Sequence, residues 1–355
     1  MNILVTGGAG FIGTNIAAHH IRNGDEVTVF DNLSRKCVVE NLDWLNSCIG
    51  NFTFIKGDVI DFDCLDEVIK NNSFDIIYHM AAQVAVTTSV TNPRADFLIN
   101  AMGSLNLLES IRLSGQDPIV IYASTNKVYG AMENEEIVLE ENSYKYLDQG
   151  NGIDEDYPLD FHSPYGCSKG AADQYFRDYY RIYGIRTIVA RQSCIYGYRQ
   201  FGIEDQGWVA WFTIAAILNK EITIYGDGFQ ARDVLFIDDL IDFYQKAIRN
   251  IDITKGNVYN VGGGISNAIS ISNFIELLED KLEINIQVHQ DKIRAGDQLV
   301  YISNISKAKK DLSWMPSVKY QDGMERLIDW VNENVDMFSE NDSSVGRELS
   351  YTKAG

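Results

Sequence analysis

The chain is short of positive charge, histidine and cysteine, and each shortage removes a class of function. Against 50 acidic residues stand 30 lysines and arginines, a formal net charge of −20 over 355 residues. That balance argues against a nucleic-acid surface or an anionic membrane as partner and leaves room only for a local cationic pocket. The five histidines do not cluster in a ligating pattern, so no metal site is expected. The five cysteines, Cys37, Cys48, Cys64, Cys167 and Cys194, are odd in number and lack paired spacing. They read as reduced thiols of a cytoplasmic protein, not as a disulfide framework or a zinc site. No run of 18 uncharged apolar residues occurs, and "NILVT" opens the strand pattern with no charged leader ahead of it, so neither a membrane span nor a secretory signal is expected.

What is present is an alternation. Strand-like apolar runs at "ILVT", "VTVFD", "FTFIK", "DIIYHMAA", "PIVIYAS" and "RTIVAR" are separated by helical patterns at 12–23, 94–113 and 168–183. This describes an α/β protein with a Rossmann-type, doubly wound, mostly parallel sheet whose crevice lies at the carboxyl ends of the strands. Residues 1–191 and 230–262 are assigned to a dinucleotide-binding domain, and 192–229 with 263–338 to a smaller, discontinuous substrate-binding lobe. Residues 131–160 form an acidic, turn-rich excursion that reads as a solvated loop or a lid, and 339–355 a polar, loosely held tail.

"VTGGAGFIG" follows the first strand. Gly7, Gly10 and Gly13 allow a tight turn, a bare-backbone approach to a pyrophosphate and close packing of the helix that begins at Phe11 and Ile12. The second strand ends at Asp31, 18 residues after Gly13, where a carboxylate accepts both hydroxyls of an adenosine ribose. A 2′-phosphate there meets like charge, so NAD is expected over NADP, with Arg35 as the neighbouring cation. Asn32 and Ser34 join Asp31 and Arg35 on the loop; Asp58 and Val59 follow the third strand near the adenine, and Ala81, Ala82 and Gln83 follow the fourth.

"HSPYGCSKG" places Tyr165 and Lys169 one helical turn apart, just after a proline suited to a helix entrance. On its own this spacing also describes a solvated helix face. Beside a nicotinamide, a phenol serves as base for an alcohol proton, and Lys169 and the positive ring are both expected to lower its pKa. Lys169 is also suited to hold the nicotinamide ribose. In "YASTNKVYG", Thr125 is the candidate donor to the substrate oxygen, with Ser124 as its rival.

The motifs "TGGAGFIG", "DNLSR", "STNKVYG", "SPYGCSKG" and "ARDVLFIDD" together resemble the extended short-chain dehydrogenase/reductase family, over nearly the whole chain. The resemblance implies NAD held by the glycine turn and Asp31, a catalytic group of Thr125, Tyr165 and Lys169, and Asn100 supporting Lys169 through the active-site hydrogen-bond network. It leaves the nicotinamide-side contacts of Gln192, Ser193 and Cys194 open, because the family's frequent Arg-Pro pair is here Arg191-Gln192. Family dehydratases carry Asp-Glu after the strand-end hydroxyl where this chain has Asn126 and Lys127, which favours epimerisation over elimination. Asn126 and Lys127 are candidate sugar contacts, Lys127 equally a structural ion pair. Finer likeness points to enzymes that epimerise CDP-sugars at C2. Epimerisation of another nucleotide sugar, such as UDP-galactose at C4, and a non-catalytic NAD-binding regulator stay open. Arg232 and Arg294 are the expected diphosphate clamps, joined by Arg199, with Thr88, Gln206 and Trp208 completing the substrate set. Family relatives pair through helices equivalent to 101–113 and 168–183, so a homo-oligomer, dimer or tetramer, is expected.

Overall fold

The computed structural model describes residues 1–339 apart from Lys36, Gln149 and Ala295; residues 340–355, nearly all of the expected tail, lie outside the described residues. Seven strands make the main sheet: β1 (Asn2–Thr6), β2 (Glu26–Asp31), β3 (Thr53–Lys56), β4 (Ile76–His79), β5 (Ile119–Thr125), β6 (Arg186–Gln192) and β7 (Val258–Val261). Their order is 3-2-1-4-5-6-7, and every neighbouring pair is parallel. β1, β4, β5 and β6 are buried along nearly their whole length, as strands covered on both faces must be, which is why their sequences are continuous apolar runs. Helices α1 (Phe11–Arg22), α2 (Phe62–Asn71), α3 (Gly103–Ser114), α4 (Ser163–Tyr183) and α5 (Ile237–Arg249) cover the sheet. The chain reverses direction of winding between β1 and β4, so the crevice opens where Thr6, His79, Thr125 and Gln192 end their strands.

The expected helix at 94–113 is interrupted. A short helix, Pro93–Phe97, capped by the Asn92 side chain on the Ala95 amide, runs into a wider π-type turn at Leu98–Met102 before α3 begins. That extra width turns Asn100 toward the loop after β4. α4 runs from Ser163 to Tyr183 and stops at Gly184, whose φ of +75° is the left-handed end that glycine accepts without strain.

Strand Ala231–Phe236 pairs with Cys194–Tyr196, Ala268–Ser270 and Val300–Tyr301 in a second, smaller sheet, after which α5 and β7 return to the main one. The acidic excursion is fastened and not solvated throughout. It carries a hairpin of Ile137–Glu140 with Ser143–Tyr146, and the Tyr144 amide donates to Phe229 O at 2.9 Å while the Tyr146 hydroxyl donates to Val300 O at 2.8 Å. Among the described residues no helix is long and apolar enough to cross a membrane.

Candidate active site

The glycine turn is shaped by contacts that no side chain could share. Gly7 has φ +67°, and a Cβ there would lie 2.6 Å from the Ala81 amide nitrogen. A Cβ on Gly13 would sit 2.3 Å from the Gly7 carbonyl oxygen, whereas one on Gly10 would meet only that oxygen, at 3.2 Å. Gly10 starts α1 with no side-chain cap, so the first amides of a twelve-residue helix face an open mouth. At the end of β2, Asp31 accepts the Ala9 amide at 3.1 Å and the Leu33 amide at 2.8 Å, which aims it across the turn. Burial raises its pKa, and the two amides oppose that rise. Asn32 donates to Asp58 at 2.8 Å and accepts the Ser34 amide at 2.9 Å, closing the loop behind it. Val59 packs in the core and Ala81 lies against Gly7, with Ala82 next along the same half-buried loop. The Gln83 amide donates to Asn100 at 2.9 Å. Bare backbone, an uncapped helix and the Asp31 carboxylate at the end of β2 fit a dinucleotide without a 2′-phosphate.

β5 and the first turn of α4 meet beside this mouth. Tyr165 is buried and shares a hydrogen bond with Thr125. Thr125 Oγ1 donates to Asn126 Oδ1 at 3.3 Å and accepts the Lys127 amide at 3.3 Å. Ser124, on the other face of the strand, donates to Asp173 at 2.7 Å and is turned away from that phenol. The Lys169 ammonium stands 4.4 Å from the centre of the Tyr122 ring, and burial pushes it down to about 7 against the pull of Asp96 and Asp173. The expected lowering of the Tyr165 phenol is not what the protein's own groups produce. Burial pushes it up to about 12, Thr125 opposes the rise, and Asp96 adds to it. Lys169 lies over the Tyr122 ring instead.

The Asn100 side-chain amide donates to Gln83 O at 3.0 Å, Asp96 at 3.1 Å and Ser168 Oγ at 3.1 Å, a network that reaches the residue before Lys169. Asp96 and Asp173 are carboxylates that sequence reading missed. Asp173 continues the Tyr165 and Lys169 face by one more turn, and Arg191 holds it through bonds of 2.9 and 3.0 Å. An acid in the first turn of the helix at Pro93 resembles ordinary helix-end preference, so Asp96 had no signal.

On the lobe side, Lys127 and Arg232 converge on Asp297 at 3.5 and 3.6 Å, with Lys127 also donating to Gly296 O at 3.2 Å. Burial, then the nearby Arg232, bring Lys127 down to about 8. Arg294 pairs with Asp205 at 3.1 Å over the Tyr225 ring. Arg35, from the Asp31 loop, donates to Gln206 and so ties the two sides together. Trp208 donates to Cys194 Sγ at 3.4 Å and packs its ring on Phe212 and Phe274. Ser193 donates to Asp233 at 2.5 Å, and Gln192 to Tyr244 at 2.5 Å. Thr88 is exposed, whereas the neighbouring Thr87 has a buried hydroxyl with no partner. Arg199 does not join the cations. It is 2% exposed, donates to Asn41 at 2.9 Å and Glu40 O at 2.7 Å, and lies against Trp44, Phe201 and Trp330. It binds the lobe to the sheet.

A glycine-turn Rossmann sheet with a tyrosine and a lysine on one helix turn defines an enzyme of the extended short-chain dehydrogenase/reductase class. The family described as GDP-mannose 4,6 dehydratase matches residues 4–327, and the chain belongs to it. It is 45% identical over 337 residues to a CDP-paratose 2-epimerase of Salmonella typhi, covering 94% of this chain and 99% of that one. Among solved structures, a UDP-glucose 4-epimerase of Thermotoga maritima with UDP-glucose superposes with a TM-score of 0.81 at 30% identity, covering 94% of this chain and 100% of the other. A UDP-glucuronic acid 4-epimerase of Bacillus cereus, in complex with UDP-glucuronic acid and NAD, gives 0.80 at 28% identity with the same two coverages.

Proposed function

We propose that the chain is an NAD-dependent nucleotide-sugar epimerase that converts CDP-paratose to CDP-tyvelose by inverting C2 through a transient 2-keto sugar. The observation that carries this reading is Asn126 and Lys127 standing beside Thr125, Tyr165 and Lys169. Loss of water across adjacent carbons needs a proton donor and an acceptor next to the reacting carbons. Asn126 has no titratable proton, and Lys127 faces Asp297. Oxidation and re-reduction at one carbon need a single acid–base group, which Tyr165 supplies. The choice of a CDP-sugar rests on the 45% identity to the Salmonella relative, against 30% for the Thermotoga UDP-glucose enzyme.

When bound, the nicotinamide supplies reversible hydride acceptance. Tyr165 takes the C2 hydroxyl proton, Thr125 donates to the oxygen as it becomes a carbonyl, and Lys169, over the Tyr122 ring, is suited to hold the nicotinamide ribose. The ketone then presents its other face, and Tyr165 returns the proton. Arg232 and Arg294 are the cations for the diphosphate, and Lys127 is a sugar contact. The reading includes a cytoplasmic site of action. A homo-oligomer agrees with the apolar side chains exposed along α3 and α4.

The test follows the hydrogen at C2. CDP-paratose deuterated there is expected to yield CDP-tyvelose that keeps the label, with none gained at that carbon in deuterated water. Loss of the label with systematic solvent uptake at C2 would overturn transient oxidation; turnover of UDP-galactose in preference to CDP-paratose would move the chemistry to C4.

A further inference from the structure

His79 is a buried imidazole to which the mechanism above gives no part. It ends β4 at 1% exposure. Its Nδ1 lies 2.8 Å from Thr6 Oγ1, at the end of β1, and its Nε2 lies 3.1 Å from Ser104 Oγ, on α3. Tyr122 and Phe176 flank the ring at 5.9 and 5.8 Å between centres. Burial, with Lys169 adding to it, pushes the imidazole down to about 3, so the ring is neutral and has one N–H to give.

The groups at either end decide which nitrogen carries that hydrogen. Ser104 donates its hydroxyl to Asn100 O at 2.6 Å and so accepts from the ring. Nε2 is therefore the N–H nitrogen, and Nδ1 accepts the Thr6 hydroxyl. Thr6 Oγ1 in turn accepts the Ala81 amide at 3.4 Å. Four hydrogens then meet four acceptors in one direction, from Ala81 to Thr6, to His79, to Ser104 and to Asn100. The opposite tautomer turns Ser104 away from Asn100 and leaves the Thr6 hydrogen without an acceptor in this network. Asn100 carries the network back to the loop after β4, because its Oδ1 accepts the Gln83 amide at 2.9 Å and its Nδ2 donates to Gln83 O at 3.0 Å. Both ends of Ala81–Gln83 are thus held by one set of bonds, with His79 in the middle.

We propose that His79 is a positioning residue for the cofactor: its relay between Thr6 and Ser104 fixes the loop Ala81–Gln83, over which the dinucleotide crosses the sheet. The proposal rests on the reading of that loop as the crossing. The loop also bears on the glycine turn, since a Cβ on Gly7 would lie 2.6 Å from the Ala81 nitrogen. A displaced Ala81 therefore disturbs both walls of the cofactor mouth.

Two variants of the full chain divide the relay from the packing. His79→Phe keeps an aromatic ring between Tyr122 and Phe176 and removes both bonds, whereas His79→Asn places a carbonyl near the position of Nδ1, where it can accept from Thr6. In direct titration, His79→Phe is expected to weaken NAD binding about tenfold, and His79→Asn to recover most of that loss. Thr6→Val, which breaks the relay without touching the ring, should weaken binding as His79→Phe does. A role in stability alone would lower the unfolding temperature of these variants and leave the NAD affinity of the folded protein unchanged. In nitrogen-15 spectra of the wild type at pH 7, the imidazole signals that disappear in His79→Asn should show the proton on Nε2. A folded His79→Phe or Thr6→Val variant that binds NAD as the wild type does, a His79→Asn variant no better than His79→Phe, or a proton on Nδ1 overturns the proposal. Wild-type protein that binds no NAD is a separate result, which removes the cofactor crossing itself and the proposal with it.

Discussion

Tyr165 needs help to act as a base. With burial and Asp96 holding its phenol up at about 12, only a small fraction is ionised at neutral pH, and that fraction rises with pH. The group nevertheless suits a cycle that both removes and returns a proton, because a phenol that is hard to ionise is a ready base once ionised. Removing the hydroxyl takes away this chemistry and little else. Tyr165→Phe is expected to fold as the wild type and to bind NAD within about threefold, while turnover falls by roughly 10²–10⁴. The buried ring keeps its packing, so circular dichroism and direct NAD titration should separate loss of chemistry from loss of structure. Turnover near the wild-type rate in the folded variant would require another base.

The turn between β1 and α1 makes its own demand, since Gly7, Gly8 and Gly13 are fixed by contact and Gly10 by access. A Cβ on Gly13 lies 2.3 Å from backbone, so Gly13→Ala must push α1 away from β1. Thermal unfolding should report a loss of ~1–3 kcal/mol, together with weaker NAD binding. Gly10→Ala meets only one atom, at 3.2 Å, and is expected to cost under ~1 kcal/mol of stability while still weakening NAD binding, because the methyl enters the open mouth. Equal stability losses in the two variants would contradict this division. These elements were legible in the sequence because their geometry permits few residue types. The glycine spacing, Asp31 at a strand end and the Tyr165–Lys169 turn each follow from local backbone rules. Asp173 was within reach of the same rule, four residues beyond Lys169, but a charge on a helix face reads first as solvated. Asp96 and Arg199 were not legible, since Asp96 is held by Gln83 from the loop after β4 and Ser168 from α4, and Arg199 by packing between lobe and sheet, and neither leaves a periodic mark. The direction of the Tyr165 shift was misread for a related reason: spacing puts a lysine near a phenol, but only the fold says that Lys169 faces Tyr122.

At the scale of the whole molecule, an acidic protein with a net charge of −20 should repel its own copies unless a patch of other character brings them together. α3 and α4 offer such a patch. Leu113 is 54% exposed, and Tyr175, Ile182 and Tyr183 are 46%, 64% and 51% exposed. The two helices are fixed to each other by the Tyr179 hydroxyl on Glu109 at 2.5 Å and by Arg112 over the Tyr183 ring, so they present one continuous face. Apolar side chains gathered on one face are what a second copy of this chain covers, and a twofold pairing would bring the same helices together from each. The glycine turn, Tyr165, Lys169 and the lobe cations all come from a single chain, so pairing is expected to set stability and not to complete the site. In sedimentation at micromolar concentration the wild type is expected to run as a dimer or larger. Ile182→Asp, which sets a charge in the middle of the face, should shift it toward single chains while each retains most of its turnover. Wild-type protein that sediments as single chains would reject the pairing, and an Ile182→Asp variant that dissociates and loses all turnover would mean that the partner copy is needed for the site.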